Sequence, residues 1–299
     1  MALTALVTWF IVARMGPGIS ELRAMGPGGW QLRALPLTAS VVALSSAYFM
    51  SAAIWGRIVS DLGGPTLGPR VSVPLFMVAN LGRYLPGKVW QIAGLAALAS
   101  RRGVAVATAT AAAVAGQGAA LLAATALGTV ALLRSPAPYP MWGLVALGIV
   151  VTALGLAAIP AVYARVLGAW FRLARAERPD VMTPAQGLVW LMLTLGSWIV
   201  YAGSFWLLAV GLGLDLSPVM AGSSFAAAYV LGYLMVFAPA GLGPREGFLI
   251  LFLAPQVGAG PAGMVAVAAR VWTTLVEVVP AGAFWVTGAA GVRGGRGDG

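Results

Sequence analysis

The chain has 299 residues, of which 60% are hydrophobic and only 9% are charged. An ordinary soluble domain carries about 25% charged residues, so this composition cannot cover a water-facing surface and excludes a soluble fold. The formal net charge is +10, but most basic residues lie in short connections between apolar runs, which is typical of membrane orientation and not of nucleic-acid binding.

The sequence contains no cysteine and no histidine. Their absence excludes disulfides, thiol nucleophiles, imidazole bases and the usual zinc ligands. We therefore predict no metal site, no cofactor and no catalytic residue, and we expect that the chain is not an enzyme.

The apolar runs predict an all-α fold, because a transmembrane helix needs about 20 mostly apolar residues. The first run, Leu3 to Ala13, is short and is predicted as a shortened or tilted span. We predict a polytopic bundle of about six full spans, forming one domain over residues 1–299 with a cytoplasmic tail at 291–299. The longer runs that predict full spans are Leu37 to Arg57, Val104 to Leu133, Trp142 to Tyr163, Gly187 to Leu212, and Gly263 to Ala290.

The apolar region that follows Arg57 is interrupted at its centre. Val71 to Leu81 and Val89 to Ala99 are each apolar for about 11 residues, which is half a bilayer at 1.5 Å per residue. Between them lies Gly82-Arg83-Tyr84-Leu85-Pro86-Gly87-Lys88. This pattern predicts a re-entrant helical hairpin, broken at Pro86 and Gly87.

A second interrupted region, Val219 to Val257, repeats this arrangement nearer the carboxyl terminus. Its centre reads Ala238-Pro239-Ala240-Gly241-Leu242-Gly243-Pro244-Arg245-Glu246-Gly247, and the predicted helix-breaking residues are Gly241, Gly243 and Pro244. Its first arm is long enough to cross the membrane, so the alternatives of a re-entrant and a fully crossing segment stay open. A simple Pro/Gly kink is the alternative in both regions.

The distribution of loop arginines predicts the orientation. If each interrupted region enters and leaves the membrane on the same face, most loop arginines lie together on one side of the membrane, which predicts that both termini are in the cytoplasm. We predict the plasma membrane as the location of the chain. Three full spans then separate the two regions, so they approach the midplane from opposite faces. This predicts an inverted repeat of residues 71–133 and 219–290, an arrangement typical of transporters.

Six ionisable residues remain inside the predicted membrane region. Leaving them all in lipid would cost on the order of 15 to 20 kcal/mol, more than the whole stability of a typical protein, so they must face one another, water or a polar ligand. Cations outnumber carboxylates, which favours a cationic cavity that binds an anion such as a lipid phosphate. The six residues are Arg83, Lys88, Arg245, Glu246, Arg270 and Glu277.

An alternative is that the two carboxylates neutralise Arg245 and Arg270, while Arg83 and Lys88 reach the headgroups. Half-helices beginning at Lys88 and Arg245 would present free amide groups that suit phosphate. Arg270 and Glu277 are seven residues apart on one helical face, with a rise of about 10 Å between them. Direct pairing would need extended side chains, so a contact of both residues with a shared partner, such as Arg245 or Glu246, is an equal alternative. The predicted substrate-binding set is Arg83, Tyr84, Lys88, Gln91, Arg245, Glu246, Arg270 and Glu277.

In order and spacing, three motifs resemble the transmembrane region of lysylphosphatidylglycerol synthase and the flippase-like membrane family that shares it. The motifs are Asn80-Leu81-Gly82-Arg83-Tyr84-Leu85-Pro86-Gly87-Lys88, Pro239-Ala240-Gly241-Leu242-Gly243-Pro244-Arg245-Glu246, and Ala269-Arg270-Val271-Trp272 followed by Glu277. The resemblance covers most of the chain from Leu37 to Ala290. It implies a helical, lipid-translocating domain, which in full-length synthases moves aminoacylated phosphatidylglycerol between leaflets.

The resemblance does not imply the synthase reaction, because synthases carry a large soluble aminoacyl-transfer domain after the spans, and we expect that half to be absent here. Many relatives have Gly-Glu where this sequence has Trp90-Gln91. The change removes a negative charge and weakens the prediction of a cationic aminoacyl lipid as substrate.

The predicted function is that of an integral membrane, flippase-like protein that translocates or binds an anionic phospholipid or a polyprenyl-phosphate-linked lipid in a cationic intramembrane cavity. One alternative is an intramembrane lipid-phosphate transferase with Glu246 or Glu277 as general base. Another is a non-transporting membrane partner of a lipid-modifying enzyme. A homo-oligomer and a lipid-synthesising enzyme partner remain open, and nucleic acid is not expected as a partner.

Overall fold

The computed structural model describes residues 32–85, 89–135, 139–158, 165, 168–170, 172–173, 183–235 and 238–290. Within these ranges the secondary structure is helical, without a strand. Several predictions fall on residues outside them: the first span Leu3 to Ala13, the helix-breaking residues Pro86 and Gly87, the candidate ligand Lys88, and the tail at 291–299.

In the described part of the chain, five α-helices are long and apolar enough to cross a membrane, namely those that begin at Ala34, Val106, Tyr139, Pro184 and Ala259. They confirm the five predicted full spans, with ends a few residues from the predicted ones where both ends are described. The all-α, polytopic helical bundle is therefore confirmed. In chain order the helices are α1 (Ala34–Asp61), α2 (Pro69–Asn80), α3 (Trp90–Ser100), α4 (Val106–Leu133), α5 (Tyr139–Ala158), α6 (Pro184–Gly211), α7 (Pro218–Leu234), α8 (Pro244–Val257) and α9 (Ala259–Val286).

The surface of the long helices is apolar. Val42 on α1, Leu144 on α5 and Val279 on α9 are each more than 60% exposed. A water-facing helix would carry polar side chains at such positions, whereas lipid accepts apolar ones. The exposed faces thus agree with a multi-pass membrane protein.

The first interrupted region is a helical hairpin, here called the first hairpin (residues 69–100). Its arms α2 and α3 lie side by side, joined through a short 3-10 turn, Leu81–Tyr84. Gln91 on α3 donates from Nε2 to Oδ1 of Asn80 on α2 over 2.9 Å. A Cβ atom on Gly82 would lie 2.6 Å from the backbone nitrogen of Gln91, so this approach requires glycine. Re-entrance of the hairpin into the membrane stays a prediction.

The second interrupted region is also a hairpin, here called the second hairpin (residues 218–257), with arms α7 and α8. The chain leaves helical geometry between the arms, where Ala240 has a φ of 50° and Gly243 a φ of 88°. Pro244 then begins α8, a position where its missing N–H costs nothing. A Cβ on Gly232 of α7 would lie 2.8 Å from Cβ of Arg245, so the arms approach closely here too.

The chain forms two compact units that alternate along the sequence. The Glu277 unit comprises Tyr48–Leu122, Val151–Ser197 and Glu277–Gly299, and it contains the first hairpin. Its core packs aliphatic and small residues of α1 to α4 together, among them Ile58, Leu75, Leu95 and Ala109.

The Arg270 unit comprises Met1–Ala47, Ala123–Val150 and Trp198–Val276, and it contains the second hairpin. Its core includes Leu132, Ala227 and Phe252. The helix α9 contributes residues to both units. The predicted single domain with repeats at 71–133 and 219–290 stays a prediction.

Replacing Gly82 by alanine should destabilise the first hairpin, because the new Cβ would meet backbone atoms, which cannot move aside as a flexible side chain can. Overpacking of this kind costs about 1 to 3 kcal/mol, so the melting temperature of the purified protein in detergent should fall. The control is Gly94→Ala on α3, whose nearest neighbour would lie 3.9 Å away. Equal melting temperatures for the two variants would contradict the close approach.

Candidate functional site

A buried carboxylate on α9 collects three hydrogen-bond donors in the Glu277 unit. Glu277 is 3% exposed. The Tyr48 hydroxyl on α1 donates to its Oε1, and Nη1 of Arg83 donates to the same oxygen over 2.7 Å. The Tyr84 hydroxyl donates to Oε2 over 2.5 Å. We call these four residues the Glu277 cluster.

The local backbone explains this convergence. The 3-10 turn Leu81–Tyr84 follows α2 directly and places Arg83 and Tyr84 next to each other, with both side chains on one carboxylate. An ionised carboxylate on an apolar helix is costly unless it is paired and hydrogen-bonded. The guanidinium supplies the opposite charge, and the two hydroxyls donate one hydrogen bond to each carboxylate oxygen. The cluster therefore connects α1, the turn of the first hairpin and α9.

A second carboxylate lies at the start of α8 in the Arg270 unit. Glu246 is 4% exposed, and its Oε2 accepts a hydrogen bond from the backbone N–H of Gly243 over 2.8 Å. This bond satisfies one of the free amide groups at the beginning of the helix, where a negative charge is also favoured by the helix dipole. Glu246 therefore stabilises the amino-terminal end of α8.

Arg270 on α9 reaches the break of the second hairpin. Its Nη1 lies 3.9 Å from Oε1 of Glu246 and 3.4 Å from the carbonyl oxygen of Ala240. Both contacts are long, so they are weaker than the short bonds around Glu277. Arg270 nonetheless places its charge beside the carboxylate and beside the non-helical backbone.

Arg245 has a different environment from Arg83 and Arg270. Its guanidinium carbon lies 4.7 Å from the ring centre of Phe225 and 5.6 Å from that of Tyr229, both on α7. These are cation–π distances. In the described part of the chain, no ion pair involves Arg245. We call Arg245, Glu246 and Arg270, with the rings of Phe225 and Tyr229, the Arg245 cluster. It contains two guanidinium groups and one carboxylate, so its formal net charge is +1.

The Arg245 cluster borders a small cavity. Its volume is about 10 Å³, close to the minimum that holds one water molecule. A lipid headgroup does not fit into this space without movement of the surrounding helices. The lining residues are Phe225, Arg245, Glu246, Leu249, Ala266, Ala269, Arg270 and Thr273.

The predicted site residues thus fall into separate groups. Arg83, Tyr84 and Glu277 meet in one cluster, and Arg245, Glu246 and Arg270 meet in the other. Gln91 joins neither, because its side chain binds Asn80 between the arms of the first hairpin.

One of the two carboxylate pairings, that of Glu277, differs from the alternative in which Glu246 and Glu277 neutralise Arg245 and Arg270. Glu277 pairs with Arg83, and Glu246 lies beside Arg270. Arg270 and Glu277, which the sequence allowed to share a partner, have different ones.

The sequence identified Tyr84 but not the other aromatic members of these clusters. Tyr48 lies near the middle of α1 and Tyr229 lies well inside α7, whereas tyrosines that anchor a membrane protein lie near span ends. Their mid-helix positions were the available signal. Phe225 offered none, because phenylalanine is an ordinary residue of an apolar helix.

The residues of both clusters lie within the match to a known family. The family model described as lysylphosphatidylglycerol synthase TM region matches residues 1–281. Comparisons with curated proteins and with solved structures gave no match.

Glu246 should tolerate glutamine better than alanine. Glutamine keeps an oxygen that accepts from the Gly243 N–H, whereas alanine removes this bond and leaves the helix end unsatisfied. Loss of such a bond costs about 0.5 to 2 kcal/mol, so Glu246→Ala should lower the melting temperature in detergent more than Glu246→Gln. If glutamine were as damaging as alanine, the charge beside Arg270 would matter more than the helix-end bond.

Proposed function

The chain belongs to the family of the lysylphosphatidylglycerol synthase transmembrane region, and from this premise we propose that it binds an anionic membrane lipid by its phosphate and moves it between leaflets. At the coarser level it is a multi-pass membrane protein linked to the synthesis or translocation of membrane lipids. The proposal places it in the plasma membrane with both termini in the cytoplasm, as the loop arginines predict.

The observation that carries the proposal is the environment of Arg245. A guanidinium in a membrane-embedded region needs a compensating partner, and aromatic rings compensate less than a carboxylate does. A phosphate can accept two parallel hydrogen bonds from one guanidinium. Because α8 begins at Pro244, Arg245 also lies at the positive end of that helix. Arg245 therefore has the charge and the position to bind a lipid phosphate.

Lipid binding requires the second hairpin to open. The cavity of about 10 Å³ has to widen before a headgroup can reach Arg245 and Arg270. In the described backbone just before α8, Ala240, Gly241 and Gly243 have positive φ values, and short irregular segments of this kind absorb hinge motions. We assign the second hairpin the role of a gate that moves about this segment.

The described carboxylates favour transport over group transfer. A transferase would need Glu246 or Glu277 as a general base with a lone pair directed at its substrate. Instead, Glu277 accepts from Arg83 and two tyrosines, and Glu246 accepts from the backbone of Gly243. Both carboxylates therefore already accept hydrogen bonds from the protein itself. We therefore propose that the chain does not act as an enzyme.

Substituting Arg245 with glutamine should weaken lipid binding and slow lipid movement. A hydrogen bond to a charged group contributes about 1.5 to 3 kcal/mol, which corresponds to about 10- to 100-fold in affinity. Movement is measured in proteoliposomes as the loss of protection of fluorescent phosphatidylglycerol from an external quencher. Retained lipid is measured by native mass spectrometry.

The matched control is Arg134→Gln, which removes an exposed arginine after α4 and should leave both readouts unchanged. Wild-type rates in a folded Arg245→Gln protein would overturn the proposed role. Retained lipid without movement in the wild type would favour the non-transporting alternative.

A further inference from the structure

The ion pair between Glu277 and Arg83 has the properties of an exchangeable contact. We propose that Glu277 is a proton-binding site that competes with the phosphate group of an incoming ligand for Arg83. When the phosphate takes Arg83, Glu277 takes up a proton. The inference rests on the proposed function for the identity of the ligand, a phosphate-bearing lipid, and on the Glu277 cluster for the exchange itself.

The two partners differ in their access to a ligand. Glu277 is 3% exposed, whereas the side chain of Arg83 is 22% exposed. An external anion therefore meets the guanidinium and not the carboxylate. Arginine remains protonated under all ordinary conditions, so the group that changes its protonation state is the carboxylate.

The Glu277 cluster can hold the added proton. The Tyr84 hydroxyl lies 2.5 Å from Oε2, and a hydroxyl both donates and accepts hydrogen bonds. A proton on Oε2 can be donated to the oxygen of Tyr84, while Oε1 still accepts from Tyr48. The neutral acid thus keeps two of its three partners. Only the bond to Arg83 loses its electrostatic contribution, so Glu277 holds Arg83 less strongly and a phosphate can replace it.

The balance of charge favours the same exchange. The ionised pair of Glu277 and Arg83 is neutral, and a phosphodiester monoanion would leave the site with a net negative charge. One proton taken up on Oε2 from the buffered solvent restores neutrality: the bond between the proton and the buffer acid breaks, and the O–H bond on Glu277 forms. A lipid monoanion and a proton bound together are neutral, which lowers the cost of moving the headgroup through the membrane.

The sign of the pH dependence follows from proton linkage. Binding that takes up a proton becomes tighter as the pH falls, by up to about tenfold per pH unit for one proton. In the described part of the chain, the titratable or charged groups that contact Glu277 are Tyr48 from α1 and Arg83 and Tyr84 from the first hairpin. Of these three groups, only Arg83 is a cation, so its contact with Glu277 is the one that a competing anion can replace.

Isothermal titration calorimetry of the full chain in phosphatidylcholine nanodiscs tests the exchange. The probe is dihexanoyl phosphatidylglycerol, titrated in buffers of different ionisation enthalpy, so that the dependence of the measured heat on the buffer gives the number of protons taken up. We expect uptake approaching about one proton per lipid and an affinity that rises as the pH falls. This measurement uses the wild-type protein and needs no variant.

Two variants assign the proton to Glu277. Glu277→Gln should bind the lipid without proton uptake and with an affinity independent of pH, because the amide neither ionises nor holds Arg83 by charge. Arg83→Gln should lose the linked uptake together with the binding that produces it. The control is Asp61→Asn, which neutralises a carboxylate of the same unit that is bound to Arg57 and Trp190, and it should keep the wild-type uptake.

A second ligand separates this inference from the proposed function. Dimethyl phosphate carries the same phosphodiester charge without acyl chains. Proton uptake with dimethyl phosphate but no binding of phosphatidylglycerol would support the exchange and overturn the lipid as ligand. Lipid binding without linked protons, or with uptake that persists in Glu277→Gln, would overturn the exchange and leave lipid binding intact. Binding of neither ligand would overturn both.

Discussion

A charge inside a membrane needs a partner of opposite charge, and α9 takes part in two such pairs. It supplies the cation to one pair and the carboxylate to the other. In the Arg270 unit, α9 supplies the cation Arg270 and the second hairpin supplies the carboxylate of Glu246. In the Glu277 unit, α9 supplies the carboxylate and the first hairpin supplies Arg83. Each hairpin is therefore held to one helix by a pair whose removal would leave an unpaired, poorly solvated charge.

Close packing at the hairpins depends on residues without side chains. Gly82 allows the turn of the first hairpin to approach the start of α3, and Gly232 allows α7 to approach Arg245. These contacts place Arg83 and Arg245 where their partners can reach them. Proline and glycine thus serve two purposes, because they interrupt the helices and they also let the arms of each hairpin come close enough to position a cation.

The two clusters differ in how firmly their charges are held. Glu277 accepts three short hydrogen bonds. The contacts of Arg270 with Glu246 and Ala240 are long, and the guanidinium of Arg245 packs against aromatic rings. In the Glu277 cluster an anion therefore replaces the carboxylate on Arg83 only when Glu277 takes up a proton, whereas in the Arg245 cluster an anion can bind Arg245 without displacing a carboxylate. In both, a protein carboxylate lies beside an arginine that a lipid phosphate would also bind, so ligand binding and conformational change compete for the same charges.

Much of this protein followed from its sequence, because hydropathy and helix breaking are local properties. Apolar length located the five long helices, and the glycine- and proline-containing runs Gly82 to Lys88 and Ala238 to Gly247 marked both interruptions. The family resemblance rested on these two runs together with the motif from Ala269 to Trp272 and Glu277.

The choice of partners was decided by the tertiary structure. Arg83 and Glu277 are 194 residues apart, and their pairing depends on a 3-10 turn that aims Arg83 at α9. The sequence placed four cations and two carboxylates in the membrane region but could not say which would meet. That choice, the roles of Tyr48 and Phe225, and the small size of the cavity at Arg245 depend on how distant segments pack, which no local pattern encodes.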